Sequence, residues 1–539
     1  MPNYAELYNP THTPQNQPAP GVAQVANNAG GYVFQLDKWA RLRRFLILGS
    51  DAPTYYQEER ALTRENAECV VECWKEDQAR TSSLIVEVSR GALAPKNDPA
   101  IFALALGSTL PEPHAEARRH AFAAVGQVCR TATHLFTWMD YRKRLGGGDG
   151  RGFKRAVSRW YECRPANAQA FQMVKYRNRA GWTHRDALRT SHARIQTPLA
   201  KWALGRYEGD FGDLPDIVGA HTEAMTCEPV HIGRLIELIE KYNLPWEALP
   251  TWALTSPLVW EAMAPHMGLT AVIRKLGVMT SCGAITPENH RQFTDRLGDE
   301  EQLRAARIHP FGVLQALAVY RAGRGYKSKA QWQPVQGVID ALDAAFYSAF
   351  QNVETTGKRI MLALDVSGSM DSPMMGSFLT NREAAAAMAL VTQAREPNAV
   401  IYGFSAGGAR SRLGFSETGI SPLAISSRRR LDDVVAYMQT LPFGRTDCSL
   451  PMLTAIKNSL GLDAFAIYTD NETWAGSIHP FQALQAYRQR SGIDAKSAVV
   501  GMTSTGFSIA NPADPGMMDF VGMDASVPAL ISEFIKGDL

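Results

Sequence analysis

A chain of 539 residues, 45% of them hydrophobic, with a net charge of +3, has the composition of a globular protein that can bury a large core. The near-neutral total singles out neither nucleic acid nor a membrane surface as partner, and no uncharged apolar run approaches the ~20 residues that span a bilayer. Seven scattered cysteines without a C-x-x-C pair argue against zinc ligation and fit thiols kept reduced as apolar filler.

The chain begins M-P-N-Y-A-E-L-Y-N-P, with no basic stretch followed by an apolar one, so a secretory signal is not expected and the cytoplasm is the expected compartment. Residues 1–30, rich in Pro, Asn, Gln and Ala, read as a flexible arm. From residue 37 to about 350 the pattern is one of amphipathic helices separated by Gly, Pro and polar breaks. It is clearest at residues 65–78, 116–128, 151–161, 232–242, 269–276 and 338–350. No strand alternation interrupts them. So long a helical stretch outgrows a single bundle core, which predicts an α-solenoid of stacked helical pairs over residues 31–355.

Charge is unevenly spread in this stretch. Between Asp140 and Arg194 fourteen basic residues face four acidic ones, a local net charge of +10 that leaves −7 for the rest of the chain. Trp160, Tyr161, Phe171, Tyr176, Trp182, His184 and His192 are interleaved with them. Basic groups neutralise phosphates and aromatic faces stack on unpaired bases, so the segment points to nucleic acid. The alternative is a solvated basic face with the rings packed inside, and Trp160 and Trp182 individually favour it. The turn G-G-G-D-G-R-G at residues 146–152 lacks both the G-K-[ST] ending and the preceding strand of a P-loop, and reads as a connection.

Past a polar boundary at residues 353–358 the chain alternates strand and helix. Strands are expected at 360–365, 399–404, 464–469 and 497–502, with helices at 381–395, 431–441, 450–460 and 480–490. Residues 356–539 are therefore expected to form a doubly wound α/β domain. Its first strand ends in Asp365-Val366-Ser367-Gly368-Ser369, which offers one carboxylate and two hydroxyls as hard oxygen ligands. Thr446 lies in a later glycine-bearing loop, and Asp470 ends another buried strand. Ligands of open α/β sheets gather at the carboxyl ends of the strands, so Asp365, Ser367, Ser369, Thr446 and Asp470 are expected to converge on a divalent cation, Mg²⁺ first and Mn²⁺ second. The bland alternative is that the two Asp residues only cap following helices. Carboxylate crowding between them predicts that Asp365→Ala leaves the fold intact.

This set resembles the metal-ion-dependent adhesion site of von Willebrand factor A domains. The whole chain from about Gly31 onward resembles the Ro ribonucleoprotein autoantigen family, with its helical TROVE module. T-H-L-F-T-W (133–138), K-Y-R-N-R-A-G-W-T-H (175–184), A-R-I-H-P-F (306–311), T-D-C-S-L-P-M (446–452) and T-D-N-E-T-W-A-G (469–476) carry the resemblance. It implies a closed, monomeric ring of HEAT-like repeats bridged by the von Willebrand A-like domain. Small structured Y RNAs would bind the basic outer surface, and single-stranded 3′ ends of misfolded non-coding RNAs would enter the hole. The implied role is RNA quality control, RNA processing and stress survival, with an exoribonuclease partner such as polynucleotide phosphorylase. Residue by residue, it places Y-RNA contacts at Lys175, Arg179 and His192. The rival reading is a metal-dependent phosphoesterase built on Asp365 and Asp470, with Asp447 and Glu472 as extra carboxylates. That chemistry needs more clustered carboxylates and a base, so a non-catalytic binding protein is the reading adopted.

Overall fold

The structure is a computed structural model. It describes residues 24–26, 32–34, 38–48, 54–56, 67–90, 96–191, 197–326, 330–374, 377–405, 419–441, 446–469, 478–501, 509–511, 514–521, 523 and 527–537. Of the expected site residues, His192 and Asp470 lie outside the described residues. The chain divides into two compact units, one formed by Lys38–Asp51 and Arg60–Phe293, the other by Met1–Asp37, Ala52–Glu59 and Thr294–Leu539.

The first unit is helical. Helix Gln78–Arg90 packs on Ala115–Val128, Asp98–Gly107 on Ala132–Arg144, Ala115–Val128 on Arg151–Glu162, and Arg151–Glu162 on His184–Ser191. Each helix thus meets the next but one, the stacking of successive helical pairs that a solenoid requires. Helix Asp98–Gly107 is apolar on all sides and buried from Pro99 to Gly107, as expected of a helix enclosed by others. The expected single helix over residues 65–78 is instead broken at Asp77, whose extended backbone separates Glu68–Glu76 from Gln78–Arg90.

The second unit holds a seven-stranded sheet. In chain order its strands are β3 (Thr54–Tyr56), β6 (Ile360–Asp365), β7 (Val400–Phe404), β8 (Ile420–Pro422), β9 (Ala464–Thr469), β10 (Lys496–Gly501) and β11 (Met517–Val521); two short antiparallel pairs, β1 (Gln24–Ala26) with β2 (Tyr32–Phe34) and β4 (Asn178–Arg179) with β5 (Trp182–Thr183), lie outside it. The sheet order is β3-β11-β10-β9-β6-β7-β8, parallel except at β8. Every residue of β6 and β9 is buried, which explains their unbroken apolar sequences. Met361 and Ala363 face a core with Phe465, Ile467 and Val499, closed by Met452, Leu453 and Ile456 of helix Leu450–Lys457 and by Phe481, Leu484 and Tyr487 of helix Pro480–Ser491. Helix Asn381–Arg395 starts at a capping box, in which the Thr380 hydroxyl accepts from Glu383 N at 3.1 Å and Glu383 Oε2 accepts from Thr380 N at 2.7 Å. The direction of the chain along the sheet reverses between β6 and β9, so a switch point lies between their carboxyl ends.

Several expectations are corrected. Residues 24–26 lie in the expected flexible arm but form β1, and β3, β4 and β5 interrupt a stretch expected to be wholly helical. All are two or three residues long, too short for a period to register. β3 pairs with β11 across more than four hundred residues, a partnership no local pattern encodes.

Gly107 marks how tightly the helical unit packs. A Cβ there would run into the indole of Trp74, which is fully buried and donates from Nε1 to the Ala103 carbonyl at 3.0 Å. Gly107→Ala is expected to cost about 1–3 kcal/mol through overpacking. A thermal midpoint unchanged from wild type would contradict this.

Candidate functional site

Strand β6 carries Asp365 to the switch point with no exposed surface. Asp365 Oδ1 accepts from Ser367 N at 2.9 Å, and Oδ2 accepts from Thr446 Oγ1 at 3.2 Å and from Thr469 Oγ1 at 2.9 Å. The Ser367 and Ser369 hydroxyls lie 3.0 Å apart. One carboxylate and the expected hydroxyls of Ser367, Ser369 and Thr446 are therefore gathered from two stretches of chain. This exceeds what a helix cap needs.

Two members of this cluster were not anticipated. Thr469 ends β9 next to Asp365, and only its position before Asp470 at a strand end could have signalled it. Arg382 is fully buried in the first turn of helix Asn381–Arg395. Its Nη2 donates to the Ser367 carbonyl at 3.2 Å, its Nε to Asp371 Oδ1 at 2.6 Å and its Nη1 to the Met438 carbonyl at 3.4 Å. It fixes the turn that follows Asp365. Asp447 is directed elsewhere: Oδ1 accepts from Ser449 N at 2.9 Å and Ser449 Oγ at 2.6 Å, and burial raises its pKa against the effect of those bonds.

The donor set fits a hard cation that keeps part of its water shell. Among the described residues no three His, Cys, Asp or Glu side chains gather to hold a metal, so hydroxyls around Asp365 would supply most of the protein ligands. Asp365 accepts from Ser367 N and from the Thr446 and Thr469 hydroxyls, so Asp365→Ala would leave buried donors without their acceptor.

The second candidate site is the basic segment of the helical unit. Helix Arg151–Glu162 buries Phe153, Ala156, Val157, Trp160 and Tyr161 and exposes Arg151, Arg155 and Arg159 at four-residue spacing along one face. β4 and β5 form a hairpin whose two turn residues, Ala180 (φ 51°) and Gly181 (φ 78°), are both left-handed, the type I′ geometry of two-residue hairpins. Arg179 is exposed on it, opposite Trp182, and Lys143 Nζ lies 5.7 Å from the Trp182 ring. Lys175 ends helix Ala166–Lys175, half-buried.

Not all fourteen basic residues are available to a ligand. Arg142 is buried among the rings of Phe122, Trp138 and Phe153, with Nε donating to Ser108 Oγ at 2.9 Å and Nη2 to the Gly148 carbonyl at 3.0 Å. Arg164 stacks 3.8 Å from the Trp160 ring and donates to the Cys129, Arg130 and Trp160 carbonyls. Arg144 pairs with Asp140 at 2.8 Å. Lys143, Arg151, Arg155, Arg159, Arg177, Arg179, Arg185 and Arg189 are exposed and form no ion pair among the described residues. Trp160 is buried, as its structural alternative required.

His184 also belongs to the interior. Its Nε2 lies 3.3 Å from the Gln172 carbonyl, which can only accept, so Nδ1 accepts from the Tyr161 hydroxyl at 2.8 Å. Burial lowers its pKa to about 4, against hydrogen bonds to Gln172 and Tyr176 that raise it. His134 is likewise lowered to about 4, first by burial and then by Arg130, and burial also lowers His221. Each is neutral in the folded unit but takes up a proton on unfolding below about pH 6.5. The unfolded state then binds more protons, so stability falls as pH drops from about 6.5 to about 4. His184 alone contributes on the order of 3 kcal/mol across that window. The thermal midpoint of the helical unit should fall over this range, and His184→Gln should flatten the profile. A wild-type midpoint that is constant from pH 7 to 4 would contradict the assignment.

A stacked-helix unit joined to a von Willebrand A-type sheet with a D-x-S-x-S turn defines a TROVE–von Willebrand A protein. The TROVE domain model matches residues 25–208 and 241–319, and the Ro60 vWA domain model matches residues 359–535. "RNA-binding protein RO60" of Deinococcus radiodurans is 37% identical over 100% of both chains, and "RNA-binding protein RO60" of Caenorhabditis elegans is 35% identical over 96% of this chain and 90% of its own. The crystal structure of the Deinococcus radiodurans RO (RSR) protein matches 93% of this chain and 100% of that chain, with a TM-score of 0.82 and 36% identity. This chain belongs to the Ro60 family.

Proposed function

We propose that this chain is a non-catalytic RNA-binding protein that takes up structured RNA on the basic surface of its helical unit. The observation that carries this is the set of eight exposed cations from Lys143 to Arg189 that form no ion pair among the described residues. Such charges attract a polyanion and release its counterions on binding. The two relatives named as RNA-binding proteins over nearly their full lengths support the same reading.

In the finer reading, residues 31–355 form a closed monomeric ring. Y RNA lies on its outer surface through Lys175, Arg179 and His192, and single-stranded 3′ ends of misfolded non-coding RNA enter its hole. Residues 356–539 carry an Mg²⁺ or Mn²⁺ site held by Asp365, Ser367, Ser369, Thr446 and Asp470. The metal's remaining positions suit an acidic group of a protein partner, for which an exoribonuclease such as polynucleotide phosphorylase is the expected class. The protein would act in the cytoplasm in RNA quality control, RNA processing and stress survival; no helix among the described residues is long and apolar enough to cross a membrane. Asp447, one of the extra carboxylates a phosphoesterase would need, is engaged by Ser449 instead.

Two experiments test this reading. Lys175→Ala with Arg179→Ala should weaken binding to a structured RNA. Each lost phosphate contact should flatten the slope of log K against log salt by roughly 0.7–0.9, whereas an unchanged affinity and slope would move the interface elsewhere. Asp365→Ala should abolish Mg²⁺ binding in calorimetry. It should also lower stability by about 1–3 kcal/mol, because buried donors lose their acceptor. RNA affinity in filter binding should stay within threefold of wild type. A tenfold loss would mean that the metal loop and the RNA surface are not separate sites.

A further inference from the structure

The rings of the basic segment separate into two groups. Trp160 and Tyr161 are buried and serve packing. Phe171 is 38% exposed, and Tyr176 is half-buried immediately after the end of helix Ala166–Lys175. Phe171 and Lys175 are four residues apart, one turn along the same helix face. Lys175 Nζ lies 5.4 Å from the Phe171 ring and 5.5 Å from the Tyr176 ring, so one ammonium serves two aromatic rings. The patch continues onto helix Asp216–Thr226, which packs against Ala166–Lys175. There Met225 is 37% exposed, and the Arg177 guanidinium lies 3.5 Å from its sulfur.

A single exposed Phe is ordinary on a protein surface. Two accessible rings and a thioether, with Lys175 against the rings and Arg177 against the sulfur, are a more particular arrangement. Phosphate contacts alone need cations and no rings. A stacked base needs a ring face, with a cation nearby for its phosphate. A duplex hides its base faces and could use only the cations.

We propose that Phe171 and Tyr176 form a stacking platform for an unpaired nucleotide of the bound RNA, with Lys175 and Arg177 taking the adjacent phosphates. The platform rests on the RNA-binding reading and adds selectivity for unpaired bases beside structured RNA. Lys175 and Arg177 alternate with Phe171 and Tyr176, matching the alternation of phosphate and base along a single strand, which favours RNA as the occupant over an acidic or apolar protein segment.

The test uses the full chain and two RNA probes, a blunt duplex and the same duplex with a short unpaired tail. Phe171→Ala and the volume-retaining Phe171→Leu should each lower affinity for the tailed RNA by about fivefold or more, the low end of what one stacked base contributes. Affinity for the blunt duplex should stay within twofold. The salt slope should not change, because no charge is lost. Phe171→Trp should restore tailed-RNA binding, and quenching of the new indole by that RNA would confirm contact. Equal losses on both probes, or no loss on either, would overturn the platform while leaving RNA binding in place. Failure of the wild-type chain to bind either probe would overturn the RNA reading itself. Unchanged RNA binding together with loss of a co-purifying protein would assign the patch to a protein, also against the proposal.

Discussion

One buried imidazole holds the basic surface together. His184 follows the β4–β5 hairpin directly, bonds to Tyr161 of the helix that carries Arg151, Arg155 and Arg159, and bonds to the Gln172 carbonyl of the helix that ends in Lys175. The Phe136 ring meets its edge at 5.0 Å. Three cationic elements are thus fixed to a neutral interior group. Neutrality matters, since a charged imidazole among so many cations would add repulsion where the fold can least relieve it. Arg142, buried among rings and carbonyls, supports the surface from beneath, and the half-buried Arg164 ties the Trp160 ring to the Cys129 carbonyl. The exposed arginines can then lose ion-pairing partners without loosening the helices under them.

The sheet unit concentrates a different chemistry. Asp365 collects hydroxyls from β9 and from the loop before helix Leu450–Lys457, while Arg382 holds the intervening turn through the Ser367 carbonyl. A strand pair buried on every residue leaves these groups little freedom. The donors are oxygens, and those from Ser and Thr are neutral.

The parts of this architecture that were legible in the sequence are those with a long period or an abrupt change of pattern. Helices Ile232–Tyr242 and Asn381–Arg395 coincide with their expected bounds because their apolar faces repeat without a competing signal. β6 was legible because its apolar run stops at Asp365. What stayed hidden depends on tertiary context. Arg382 sits in N-R-E, which reads as an exposed first turn, yet it is fully buried. His184 sits in T-H-R-D, equally polar, and forms the hub. Thr469 looks like an ordinary strand residue until β6 is placed beside it. The +10 charge of the segment was countable, but whether each cation points inward or outward was not: Arg142 and Lys143 are neighbours, one buried and one exposed.

The most direct test of the central claim is to crosslink a structured RNA with a single-stranded 3′ tail to the full chain by ultraviolet light and identify the modified peptides by mass spectrometry. The account predicts adducts concentrated between residues 143 and 191, on the helix of Arg151–Glu162, the helix of Ala166–Lys175 and the hairpin that follows. Adducts confined to residues 359–535, with the basic segment unmodified, would contradict it.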